Sequence, residues 1–99
     1  MATIIIKWPI ERDPRQVLML PVGAKILCVQ VHRDRPCIWV IGEEPPYIEV
    51  ERRVLVTLHT GARVLAEDVG HIRYVGTYQL ENGDAIGHVF ERMDALSSW

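Results

Sequence analysis

Residues 24–42 read Ala-Lys-Ile-Leu-Cys-Val-Gln-Val-His-Arg-Asp-Arg-Pro-Cys-Ile-Trp-Val-Ile-Gly, two apolar, β-branched runs on either side of Arg33-Asp34-Arg35. Such a pattern closes as two antiparallel strands around a short polar turn. The hairpin constrains everything else. The remaining apolar runs are short and need a sheet to pack against, and this one is the natural centre of that sheet.

Taken in order, the other segments agree. Residues 3–6 hold three isoleucines, which favour strand over helix. Pro9 lacks a ladder donor, so this strand ends there or lies at an edge. Residues 16–20 form a second short run, closed by the turn signal Pro21-Val22-Gly23. In residues 24–32, strict alternation would place Ile26, Cys28, Gln30 and His32 on one face and Lys25, Leu27, Val29 and Val31 on the other. The acidic, proline-paired segment 42–47 is a loop. Residues 48–58 and 72–80 are strands, the latter with Gly76 marking a bulge or a close backbone approach. Leu65-Ala66-Glu67-Asp68 allows one helical turn, too short to stand alone. Asn82-Gly83 is a strong hairpin signal before a last strand over 85–91. Residues 92–99 form a tail, helical or frayed. The sum is an all-β chain, one domain over residues 1–99, built as a compact antiparallel β-sandwich or small barrel of about seven short strands.

Charge narrows the function. Net charge is −2 at pH 7, without the basic excess that binding to nucleic-acid phosphates requires. Non-specific DNA or RNA binding is therefore not expected, whereas one basic pocket for a small anion is compatible. No apolar run nears the ~20 residues of a membrane helix. Residues 1–6 lack the charged start and long apolar stretch of a signal peptide. The expected location is the cytoplasm. Cys28 and Cys37, the two cysteines, fit neither a metal pair nor a redox motif and read as small buried hydrophobes.

Catalytic motifs are missing: no GxSxG, P-loop, GxGxxG or HExxH occurs. His32, His59, His71 and His88 lack the short spacing of zinc ligands, so no metal and no cofactor is expected. His88 reads as a strand histidine whose ring nitrogens bond to neighbours. Glu43-Glu44 and Glu67-Asp68 lie in loops, without the burial that turns a carboxylate into an acid or base. The expectation is a protein that is not an enzyme.

One constellation does point to a ligand. Trp8, Arg53, Arg73 and Tyr74 offer aromatic faces beside guanidinium groups, as stacking on a base and binding a phosphate require. His59, Thr60, Gly61 and Thr77 add polar and backbone donors. The competing structural reading puts Trp8 and Trp39 in the core. Arg52 and Arg53, adjacent on one strand, must face opposite ways.

Lys7-Trp8-Pro9-Ile10, residues 23–30, Cys37-Ile38-Trp39, Thr60-Gly61, residues 74–79 and His88-Val89-Phe90-Glu91 together resemble a family of small bacteriophage and prophage proteins. Cys28 stands where the family has Ser, Val75 where it has Ile, and Ala62 where His often follows Thr-Gly. The resemblance implies a phage context and a host-cell cytoplasm, with no assigned chemistry. By analogy of context it suggests an anti-defence role. In that role the protein is a homo-oligomeric sponge that sequesters a nucleotide second messenger. The alternatives are an inhibitor or adaptor that binds a host protein, through the 4–6 edge or the Trp99 tail, and a minor virion component.

Overall fold

A computed structural model describes residues 2–44, 46 and 49–93. The strands are β1 (Thr3–Pro9), β2 (Arg15–Pro21), β3 (Lys25–His32), β4 (Arg35–Glu43), β5 (Val50–Leu58), β6 (Ile72–Leu80) and β7 (Ala85–Arg92). One short helix, α1 (Ala66–Val69), and a 3₁₀ turn over Glu81–Gly83 complete the elements. They form two antiparallel sheets, one of three strands in the order β1-β4-β3 and one of four in the order β2-β5-β7-β6. The expected sandwich is the fold, and it does not close into a barrel. No helix among the described residues is long and apolar enough to cross a membrane. Of the expected tail over 92–99, Arg92 is the last residue of β7 and Met93 follows in a turn; residues 94–99 lie outside the described residues, as does Tyr47.

The central hairpin is β3–β4, with β4 paired on both sides. Its loop is the two residues Arg33 and Asp34, at φ 54° and 63°. Two consecutive left-handed residues make the turn whose twist matches that of the flanking strands. Arg35 therefore belongs to β4.

Strict alternation fails in β3. The register slips between Ile26 and Cys28, so Leu27 is an extra residue there. A bulge switches face parity, which sends both Ile26 and Val29 into the core and Cys28 and Gln30 outward. Trp39 lies on that outer face, half-buried, with Nε1 donating to Gln30 Oε1 at 3.3 Å. The core reading of Trp39 is thus corrected, because its neighbours Ile38 and Val40 take the inward parity. Cys37 is buried, Cys28 is half-buried and both thiols are free.

Between the sheets Leu18, Leu20, Ile26, Val29, Ile38, Val40, Leu55, Tyr78, Leu80 and Val89 form one apolar cluster with Ile10 and Ala24. β6 bulges between Tyr74 and Gly76. Val75 is the extra residue there, and a Cβ at Gly76 would lie 2.6 Å from Val29 Cγ1, so of the two expected roles the glycine itself has the close backbone approach, with the bulge one residue before it.

Candidate functional site

β5 and β7 pair from Val54↔Arg92 to Leu58↔His88 and then part. β5 continues into the turn 59–62, closed by Ala62 N–H donating to His59 O at 3.0 Å, with Gly61 at φ 88°. The first residues of β7 stay with β6. Between them opens a cleft of about 510 Å³ whose lining includes Arg12, Thr57, His59, Tyr78 and Asp84. Thr57 takes the inward parity of Leu55. Its Oγ1 is buried and has no hydrogen-bond partner among the described residues. A buried hydroxyl left unpaired costs about 1–3 kcal/mol, so such groups are rare unless something supplies the partner.

Tyr78 forms one wall because β7 carries Gly87 beneath it. A Cβ there would overlap Tyr78 Cζ and lie 2.6 Å from Cε2 and 2.7 Å from the hydroxyl. Burial pushes the Tyr78 phenol above its ordinary value of 10.0, opposed by the nearby Arg12 charge. The fold therefore favours the neutral phenol. That contribution is intact below pH 10.0 and is lost as pH rises through the folded-state value. Tyr78→Phe is expected to flatten the alkaline limb of the stability–pH curve and to remove the latest step of tyrosinate absorbance. An unchanged limb would show that Tyr78 ionises freely.

On the outer face of the four-stranded sheet a chain of hydroxyls runs to the same turn. Tyr74 OH lies 2.6 Å from Thr77 Oγ1, Thr77 Oγ1 2.9 Å from His88 Nδ1, and His88 Nε2 2.8 Å from Thr60 Oγ1. His59 Nδ1 is 3.0 Å from the Thr60 carbonyl. A neutral imidazole offers one donor and one acceptor, and a hydroxyl matches either. His88 thereby ties the turn to β6 and β7, with both ring nitrogens bonded as its sequence context implied. Tyr74 also meets Phe90 edge-on, 5.6 Å between centroids.

The structure thus gathers His59, Thr60, Gly61, Tyr74 and Thr77 around one turn. It places the other three predicted residues elsewhere. Trp8 packs against the core from β1. Arg53 and Arg73 both bind Glu91, a carboxylate 3% exposed at the far end of β7. Arg53 grips it with Nε and Nη2 and donates from Nη1 to the Ala24 carbonyl at 2.6 Å. Glu91 raises the Arg53 pKa through that hydrogen bond, against desolvation. A second cleft of about 630 Å³ opens there, lined by Arg52, Arg53 and Glu91 among others, but its inward cation is already matched. Arg52 is exposed while Arg53 points inward, as the strand geometry required.

Arg12, Thr57, Tyr78 and His88 complete the site and were not singled out as ligand residues. Face parity would have flagged Thr57, one step inward from Leu55. Nothing local marks Arg12, whose loop reaches the cleft only after β2 pairs with β5.

These features define a small all-β sandwich with a ligand-sized cleft where one sheet splits. The chain belongs to the family described as Domain of unknown function (DUF7352), which matches residues 1–98. No curated protein and no solved structure matches the chain.

Proposed function

We propose that the protein is a non-enzymatic binding protein that holds and sequesters a small nucleotide-type ligand at the split end of the sandwich. The observation that carries this reading is the buried, unpartnered hydroxyl of Thr57, a residue that lines a cleft edged by Arg12, His59 and Tyr78. Arg12 is the cation for a phosphate. Its ion pair with Glu81, 3.4 Å apart and exposed on both sides, is a weak competitor. Thr57 and the Tyr78 hydroxyl recognise polar edges, and the turn 59–62, tied down by His88, forms a rim. The phage context and the sponge role rest on the sequence resemblance. A cytoplasmic location belongs to the same proposal.

The test is a thermal-shift screen against linear and cyclic nucleotides and ADP-ribose derivatives. A ligand at 100 times its dissociation constant stabilises the fold by about 2.7 kcal/mol, a shift of roughly 10 °C or more in a domain of this size. Two variants locate the site. Arg12→Ala is expected to weaken binding roughly 10- to 100-fold, the worth of a hydrogen bond to a charged group. Thr57→Val is expected to raise the melting temperature of the free protein by relieving an unpaired hydroxyl, and to shrink the ligand-induced shift. A flat panel at millimolar concentrations would reject the reading. A ligand whose shift ignores both variants would remove it from this cleft.

A further inference from the structure

The free edge of β1 carries a self-complementary strand, and we infer that two copies of this chain pair through it. In antiparallel ladders, residues that exchange both backbone hydrogen bonds alternate with residues that exchange none. Just beyond β1, Ala2 O accepts from Glu44 N–H and Ile10 N–H donates to Pro36 O, both at 3.1 Å. With the register Thr3↔Glu43 through Pro9↔Cys37, these contacts fix the phase. Ile4, Ile6 and Trp8 turn their backbone groups to β4. Thr3, Ile5 and Lys7 turn theirs to the edge, where no described strand pairs with them.

Two of the other edges are blunted, since β3 and β6 each carry a bulge. On β2 the Thr57 N–H to Pro14 O bond turns Arg15, Val17, Met19 and Pro21 to the edge, with a cation at one end and a proline without a donor at the other. Bulges and prolines are the usual protection against edge-to-edge association. β1 carries no bulge and no proline before Pro9, and its central Ile5 is 63% exposed, against 45% for Val17 at the centre of β2.

A two-fold axis at Ile5 satisfies every open group between Thr3 and Lys7. Ile5 then faces Ile5 of the second copy in a hydrogen-bonded pair, Thr3 faces Lys7, and Ile4 packs beside Ile6 on the inner side. Lys7, the one charge in the strand, never meets itself. Pro9 ends the pairing where its missing N–H would leave a gap. The result is one continuous six-stranded sheet, β3-β4-β1 joined to its symmetry mate.

The test is sedimentation of the full chain by analytical ultracentrifugation over a concentration series, with far-UV circular dichroism as the folding control. The wild type is expected to reach twice the 11.3 kDa chain mass. Thr3 substitutions then read the register. Thr3→Glu sets a carboxylate opposite Lys7 twice per dimer and is expected to tighten it, and Thr3→Lys is expected to loosen it. Each change is roughly two- to thirtyfold for two cross-strand charge pairs and should shrink with salt. Ile5→Pro removes the donor at the axis and is expected to leave monomer. Should that variant not fold, the two Thr3 variants decide the question. A wild type that stays monomeric overturns the inference. So does a dimer indifferent to the charge at position 3, or an edge that only a strand from another protein occupies.

Discussion

Glu91→Ala is expected to cost the fold about 3–5 kcal/mol, the usual loss when one partner of a buried ion pair is removed. Natural domains hold only about 5–15 kcal/mol in total, so the variant should unfold near physiological temperature. The reason lies in what is left behind. Arg53, with its side chain 14% exposed, keeps its charge and loses the carboxylate that held Nε and Nη2. Its remaining partners are the Ala24 carbonyl and, at 3.8 Å, Glu51. Arg73 loses the same partner but is 47% exposed and can turn to water, so Arg73→Ala should cost far less, within about 1 kcal/mol. Urea denaturation of the three proteins checks the ranking. The Arg53→Met/Glu91→Leu pair should recover much of the loss, since replacing both charges removes the burial penalty with the attraction. Equal destabilisation by Glu91→Ala and Arg73→Ala would show that Arg53 is not the residue at risk.

The second large effect is expected at Gly87. Alanine there places a methyl against Tyr78 Cζ and 2.6 Å from Cε2. The ring must leave a site where it is 5% exposed and belongs to the core. Overpacking of this kind costs about 1–3 kcal/mol. A displaced ring also removes a wall of the cleft, so ligand binding should fall along with stability. Tyr78→Leu gives the methyl room. The double variant should therefore be less destabilised than the sum of its parts, a coupling of about 0.5–3 kcal/mol for residues in contact. Strict additivity would mean that Gly87 matters for its backbone and not for Tyr78.

These effects divide between what was legible in the chain and what was not. The inward parity of Arg53 and Glu91 can be read from Leu55 and Val89, two residues away on each strand. That the two meet is a property of the β5–β7 register, which no local pattern carries. Trp8 and Arg73 looked like ligand residues because an aromatic beside a cation has the right chemistry. Trp8 has the inward parity of Ile6, and the cation of Arg73 is taken up by Glu91.

The sequence by itself determined the strand count, the central hairpin, an irregularity or close approach at Gly76 and the local turns, because each depends on neighbours in the chain: period-two alternation, a proline without a donor, a glycine where a side chain cannot fit. It also ended a strand at residue 58, just before His59-Thr60-Gly61. Only the tertiary structure decided which strands share a sheet, that the sheets stay open as a sandwich, and that β5 and β7 part at Leu58 and His88. Those outcomes rest on contacts between residues far apart in the chain, such as Arg12 near Tyr78 and Thr60 against His88. The bulge at Leu27 shows the same limit on a single strand. With Val29 and Val31 both apolar beside it, the local pattern fits either face, and only packing against Gly76 of β6 selects the one that is buried.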